Sequence, residues 1–216
     1  MAIRVFLADD HAIVRDGLRL ILESQGDITV VGEASNGRQA VNEVKKTCPD
    51  IVIMDIAMPE LNGIDATFHI TETCPSTHVI ILSVLDTSEY IFEALKAGAK
   101  GYILKESAGE EVVKAIRLVE SGHHYLSQEI SETVVTDYIK QRGSGEQKSQ
   151  FKNLSKRERE ILQLIVEGKS HTEVAHTLFI SPKTVDTYKS RIMQKLDIKD
   201  LPSLVRYAIK HGLSPL

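Results

Sequence analysis

The sequence predicts an α/β domain built on a doubly wound, five-stranded parallel sheet, joined by a linker to a small all-α domain of four helices. Three observations lead there. Residues 1–125 alternate short continuous apolar runs with amphipathic stretches of helical length. Residues 154–216 keep the helical period and show no strand pattern. Between them, residues 141–153 read Gln-Arg-Gly-Ser-Gly-Glu-Gln-Lys-Ser-Gln-Phe-Lys-Asn, a polar, Gly/Ser-containing composition typical of flexible linkers.

Taken in order, the expected strands are Arg4 to Ala8, Thr29 to Glu33, Ile51 to Met54, Val79 to Ser83 and Gly101 to Leu104. They are Val- and Ile-rich without alternation, as when helices cover both faces of a parallel sheet. The intervening helices include Val14 to Glu23, with Val14, Leu18, Ile21 and Leu22 on one face. Another is Glu110 to Glu120, with Val113, Ile116 and Val119 together. A further helix, Glu129 to Lys140, leads into the linker, so the chain divides as 1–125, 126–153 and 154–216. The last division holds Lys156 to Glu167, His171 to Thr177, Pro182 to Leu196 and Leu201 to His211. Ser155 with Glu158 forms a capping box pattern, and Ser181-Pro182 is an N-cap followed by proline at the first helical position. Gly168 and Gly212 stop the first and last of these helices.

Length and composition agree. A chain of 216 residues fits two ordinary domains, and 42% hydrophobic with 26% charged residues excludes bulk disorder and fibrous arrays. No apolar run approaches the roughly 18 residues of a membrane span. Asp9 and Asp10 interrupt any signal-peptide core, so a cytoplasmic protein without membrane contact is expected. Cys48 and Cys74 are too few for a disulfide framework or a four-ligand zinc site. Each sits in Thr-Cys-Pro at the end of a helix and reads as a small buried apolar residue. The net charge of −4 is uneven: residues 151–216 hold 12 Lys/Arg against 7 Asp/Glu, and residues 1–150 hold 14 against 23. An acidic front and a basic back suggest different partners, nucleic acid for the second.

Open parallel sheets bind ligands at the carboxyl ends of their strands. Asp9 and Asp10 follow the first strand there, Asp55 the third, Ser83 ends the fourth, and Lys105 follows the fifth. Three converging carboxylates repel unless a cation joins them, and a hard cation with oxygen ligands, Mg²⁺, is the natural one. Lys105 is placed to neutralise a phosphoryl oxygen and Ser83 to hydrogen-bond another. That set suits phosphoryl transfer, with Asp55 as the nucleophile that becomes an aspartyl phosphate. His11 beside Ser83 and the aspartates is not read as a hydrolase triad, because no Gly-x-Ser-x-Gly elbow surrounds Ser83.

These residues carry a resemblance. Asp9-Asp10, the run Asp55-Ile56-Ala57-Met58-Pro59-Glu60-Leu61-Asn62-Gly63, Ser83 and Lys105 resemble the receiver domain of two-component response regulators. The resemblance implies a flavodoxin-like fold and Mg²⁺-dependent phosphoryl acceptance from a sensor histidine kinase. It also implies Asp55 as phosphoacceptor, with Asp10, Asp55 and the Ala57 carbonyl ligating the metal directly and Asp9 through water. Ser83 and Tyr102 then match the switch hydroxyl and switch aromatic.

In the C-terminal part, His171 to Leu196 reads as a helix, a turn at Phe179-Ile180-Ser181 and a longer helix. That is the shape of a helix-turn-helix, whose second helix enters the major groove. Val185, Ile192 and Leu196 form its inner stripe. The candidate DNA contacts are Lys183, Thr184, Asp186, Thr187, Lys189, Ser190 and Arg191, cations beside hydroxyls that suit phosphate contact and base-edge readout. Leu154 to Leu162, Gly168-Lys169-Ser170, Glu173-Val174-Ala175, Ile180-Ser181, Thr184-Val185 and Lys195-Leu196 resemble the LuxR-type DNA-binding domain. With the receiver, this points to the NarL/FixJ subfamily. Asp186 and His171 stand where that pattern often has lysine and asparagine. The last helix carries surplus apolar surface at Leu201, Leu204, Val205 and Ala208, and the resemblance implies that part of it forms a homodimer on double-stranded DNA.

The function expected is therefore a transcription regulator switched by phosphorylation of Asp55. It is not an enzyme beyond slow self-phosphorylation from small donors and self-dephosphorylation. Two alternatives differ in class. One is an Mg²⁺-dependent phosphohydrolase with an aspartyl-phosphate intermediate, for which the loops are too short to form a substrate lid. The other is a constitutive DNA-binding protein with a vestigial receiver.

Overall fold

The computed structural model describes residues 2–143, 154–211 and 213. Most of the expected linker, residues 144–153, and Gly212, the expected stop of the last helix, lie outside the described residues.

The strands are β1 (Ile3–Ala8), β2 (Ile28–Ala34), β3 (Ile51–Met54), β4 (His78–Ser83), β5 (Gly101–Leu104) and β6 (Tyr125–Leu126). All pair in parallel, in the order β2-β1-β3-β4-β5-β6. Helices α1 (Ala12–Glu23), α2 (Gly37–Thr47), α3 (Gly63–Thr73), α4 (Ser88–Lys96) and α5 (Ala108–Glu120) connect them, and α6 (Gln128–Gly143) follows β6. Every residue of β3 is buried, and so is all of β4 after His78, which explains why these strands read as continuous apolar runs. Strand order reverses between β1 and β3, so the cleft lies above their carboxyl ends.

The structure corrects the sequence reading in three places. The sheet has six strands, not five; β6 is only two residues long and leaves no periodic signal. On α5 it is Val112, fully buried, that joins Ile116 and Val119, while Val113 packs from the side. Cys74 is buried as expected, but Cys48 is exposed. It terminates α2 with a left-handed backbone (φ 38°), and its Sγ lies 3.2 Å from that of Cys74.

The C-terminal helices are α7 (Lys156–Val166), α8 (His171–Leu178), α9 (Pro182–Leu196) and α10 (Leu201–Lys210). Both halves of the Ser155–Glu158 capping box form, Ser170 and Glu173 form a second, and Ser181 caps α9 ahead of Pro182. These helices are docked on the α/β domain. A single apolar cluster runs from Ile56, Ile64 and Tyr90 through Ile161, Ile165 and Leu204. Among the described residues no helix is long and apolar enough to cross a membrane.

Candidate functional site

Asp9 and Asp55 leave the ends of β1 and β3 and are each 2% exposed. Lys105 opens a short 3-10 turn after β5 and places its Nζ between them, 2.8 Å from Asp9 Oδ2 and 2.7 Å from Asp55 Oδ2. Asp10 sits beside them, half-buried. The Ala57 amide donates to Asp55 Oδ1 at 3.4 Å, which puts the Ala57 backbone at the same cleft. His11 caps α1 from the surface, its ring 3.1 Å from Asp9 Oδ1 and 2.7 Å from Asp10 Oδ1. Ser83 is fully buried at the end of β4, and its Oγ accepts from the Leu85 amide at 3.2 Å. Tyr102, also fully buried, donates its hydroxyl to the Leu85 carbonyl. Thus Asp9, Asp10, Asp55, Ala57 and Lys105 converge, while Ser83 and Tyr102 meet each other's neighbour, Leu85.

Burial pushes the Asp55 carboxyl above the usual carboxylate range; Lys105 opposes this and Asp9 adds to it. Burial also works against the Lys105 charge, but the carboxylates of Asp55 and Asp9 outweigh it and hold its pKa above the ordinary lysine value. One ammonium therefore reaches two of the three carboxylates. Asp9 Oδ2 and Asp10 Oδ1 are buried yet make no well-aligned hydrogen bond, despite Lys105 and His11 nearby. One ligand atom each from Asp9, Asp10, His11 and Asp55 lies within 4.8 Å of the others. Spare negative charge and poorly satisfied buried carboxylate oxygens fit a metal ion, and the three aspartates supply the hard oxygen donors.

On α9, Lys183, Asp186, Thr187, Ser190 and Arg191 are exposed and Thr184 and Lys189 half-buried, while Val185 and Ile192 are fully buried. The two residues that depart from the LuxR-type pattern meet: His171 Nδ1 lies 2.7 Å from Asp186 Oδ1. On α10, which packs against α7, Leu201 is 45% exposed and Val205 half-buried, but Leu204 and Ala208 are fully buried.

A third region was not anticipated from the sequence. Helix α7 lies across the loop that follows Asp55. The Gln163 side chain, fully buried, accepts from the Asn62 amide and donates to the Met58 carbonyl, both at 2.8 Å. Glu167 Oε1 accepts from the Glu60 amide at 2.9 Å. Glu60 itself has a left-handed backbone (φ 66°), uncommon for a residue with a Cβ. Beside this, Arg159 grips Asp65 through Nη2 at 2.6 Å and Nε at 3.2 Å. Glu160 meets His69 at 3.3 Å, Arg157 at 2.9 Å and Arg38 at 3.7 Å. The signal was available: Ile161, Leu162, Leu164 and Ile165 cover more than one face of α7, as on a helix packed from two sides.

Comparison with known proteins fits this layout. Residues 5–117 match the response regulator receiver domain, and residues 152–208 match the bacterial regulatory proteins of the luxR family. The chain belongs to the LuxR-family response regulators. Its relatives include the oxygen regulatory protein NreC of Staphylococcus epidermidis, 42% identical over 97% of this chain and 98% of that protein. NreC of Staphylococcus carnosus is likewise 42% identical, over 97% and 98%. Among solved structures, the RcsB response regulator of Salmonella typhimurium is 29% identical with a TM-score of 0.65, covering 95% of this chain and 96% of that one. An RcsB–DNA complex matches at 28% identity and a TM-score of 0.60, over 96% and 98%. As a LuxR-family response regulator the chain is a DNA-binding transcription regulator with a flavodoxin-like receiver, and the phosphohydrolase alternative is set aside.

The interface between the two parts carries a pH dependence. Glu160 holds the His69 pKa above its ordinary value, against partial burial and with help from Asp65 and Glu72. The docked state therefore binds the proton more tightly than the open one. This contribution to docking is fully present below the ordinary histidine value of about 6.5 and is lost as pH rises through the elevated one. Small-angle scattering from pH 6 to pH 8.5 should show expansion on the alkaline side for the wild type and a flatter profile for His69→Gln. Compaction with rising pH would contradict the assignment.

Proposed function

We propose that a phosphoryl group on Asp55, delivered by a sensor histidine kinase, switches this regulator from the docked form to one that binds double-stranded DNA as a homodimer. The observation that carries the reading is the Lys105 ammonium bridging buried Asp9 and Asp55 at 2.8 and 2.7 Å. Asp55 supplies the carboxylate oxygen that attacks phosphorus, and the donor's leaving group departs on the opposite side. Lys105, already charged and in place, stays with the phosphorylated side chain and offsets the added negative charge. Asp9, Asp10, Asp55 and the Ala57 carbonyl would hold Mg²⁺, whose charge would offset that of the phosphoryl oxygens. The Ser83 hydroxyl, now occupied by the Leu85 amide, turns toward the phosphoryl group. Leu85 also accepts from Tyr102, so that turn unsettles the Tyr102 ring position.

The same loop that carries Asp55 is held by Gln163 and Glu167, which supplies a route from phosphorylation to undocking of α7. Undocking would free α10, which already exposes Leu201 and half-exposes Val205, to meet a second copy. The outward residues of α9, from Lys183 to Arg191, would then read two half-sites about one helical turn apart. Chemistry beyond slow self-phosphorylation and self-dephosphorylation is not part of this reading. Functionally, 1–125 is the receiver, 126–153 the connection and 154–216 the DNA-binding part.

Intact mass after incubation with acetyl phosphate and Mg²⁺ tests the proposal. The wild type should gain one hydroxylamine-labile phosphate and Asp55→Asn none. An adduct of the same size on Asp55→Asn would assign the phosphate elsewhere and end the proposal.

A further inference from the structure

Two thiols outside the receiver cleft stand in contact. Cys48 caps the C-terminus of α2, Cys74 caps that of α3, and their Sγ atoms are 3.2 Å apart. Cys48 is exposed and Cys74 buried, so an oxidant from solvent meets one sulfur first and finds the second directly behind it. We infer that Cys48 and Cys74 form a redox-active dithiol, oxidised by peroxides to an intramolecular disulfide. Closing the gap to a bond length of about 2.05 Å takes roughly 1 Å of movement. Both residues are helix C-caps and lie outside β3 and β4.

The chemistry balances. The Cys48 thiolate attacks one peroxide oxygen; an S–O bond forms, the O–O bond breaks, and hydroxide leaves and takes up the thiol proton as water. The Cys74 sulfur then attacks the Cys48 sulfur. The S–S bond forms, the S–O bond breaks, and the hydroxyl leaves with the Cys74 proton as a second water. Two thiols lose two electrons and two protons, and one peroxide becomes two waters. Cys48 is the attacking thiol because it is accessible. Cys74 is the resolving one, since burial and the neighbouring Cys48 hold its thiol protonated until the first step has occurred.

The bond would tie the ends of two helices that also carry the docked helix. Arg38 lies on α2, and Asp65 and His69 lie on α3, and all three reach α7 or its side chains. Oxidation would thus fix the spacing of the surface on which α7 rests.

The experiment uses the full chain, treated with a slight excess of hydrogen peroxide, then denatured in N-ethylmaleimide and weighed intact. The untreated protein takes two maleimides. The treated protein should take none, weigh two hydrogens less than its reduced form, run as a monomer on a non-reducing gel, and recover both labels after dithiothreitol. Cys74→Ser should instead add oxygen at Cys48 under the same dose, and Cys48→Ser should keep its label on Cys74. Two labels surviving on wild type, at a dose that oxygenates Cys74→Ser, would overturn the inference. So would oxygen added to Cys48 with Cys74 still labelled, or a disulfide between two chains.

Discussion

Replacing Arg159 by methionine should open the molecule. Asp65 is 1% exposed, and its carboxylate is neutralised by the two-pronged contact with Arg159. Without the guanidinium, the Asn62 side-chain amide at 2.8 Å is what remains of its described hydrogen-bonded side-chain partners. Stranding a buried charge in this way costs about 3–5 kcal/mol, whereas removing both charges together costs far less. Here the chain has an escape, because undocking α7 returns Asp65 to water. The equilibrium constant for docking should therefore fall by roughly a hundredfold or more. The radius of gyration should rise, and protease should cut the chain faster between its two parts. Adding Asp65→Asn to Arg159→Met should restore much of the compact form. An unchanged radius of gyration in the single variant would show that this pair does not hold the domains together.

Gly63→Ala should be the most damaging single methyl in the receiver. A Cβ at this position would stand 1.8 Å from the Asp55 carbonyl oxygen and 2.8 Å from its carbon, and backbone cannot yield as a side-chain tip does. The Gly63 amide also donates to the Ile56 carbonyl at 2.8 Å, so helix α3 starts tight against the strand end. Relief requires moving Asp55 or the start of α3, and either pulls the carboxylate away from Lys105. Overpacking of this kind costs about 1–3 kcal/mol and at times more, and contact with backbone places Gly63 at the upper end. The thermal midpoint should fall and labelling by acetyl phosphate should be lost. Gly17→Ala is the matched control. Nothing lies within 4 Å of a Cβ there, and the residue is inside α1, so the change should stabilise by about 0.5–1 kcal/mol and leave labelling intact. Equal labelling of both variants would mean that the close approach at Gly63 does not position Asp55.

The receiver was legible in the sequence because its evidence is local and repeated. Strands β3 and β4 are buried runs, and Asp9, Asp55, Ser83 and Lys105 sit at or just past strand ends, so they could be placed from chain position alone. The outward face of α9 was legible for a similar reason, since Val185 and Ile192 fix which side is inside. What could not be read depends on pairing across long separations. Gln163 and Asn62 are 101 residues apart, and nothing in either neighbourhood names the other. Arg159 and Glu160 look like solvated charges on a helix start; they are buried because Asp65, His69 and Arg38 come from elsewhere to meet them. Cys48 is exposed and takes a left-handed backbone, which sequence propensity disfavours at a non-glycine residue. Asp186 and His171, each odd alone, make sense as a pair.

The grip of Gln163 and Glu167 on the loop after Asp55 has a consequence for how readily the receiver responds. Any free energy by which an occupied Asp55 loosens the C-terminal helices must, by thermodynamic reciprocity, be returned as resistance of the intact chain to occupying Asp55. The output half thus acts as a tethered ligand of the input half, at an effective concentration set by the connection rather than by that of the protein. If phosphorylation of Asp55 releases α7, the threshold of that switch is written partly in α7, and two proteins with identical receiver clefts would answer the same donor differently if their first output helices differed at positions 163 and 167.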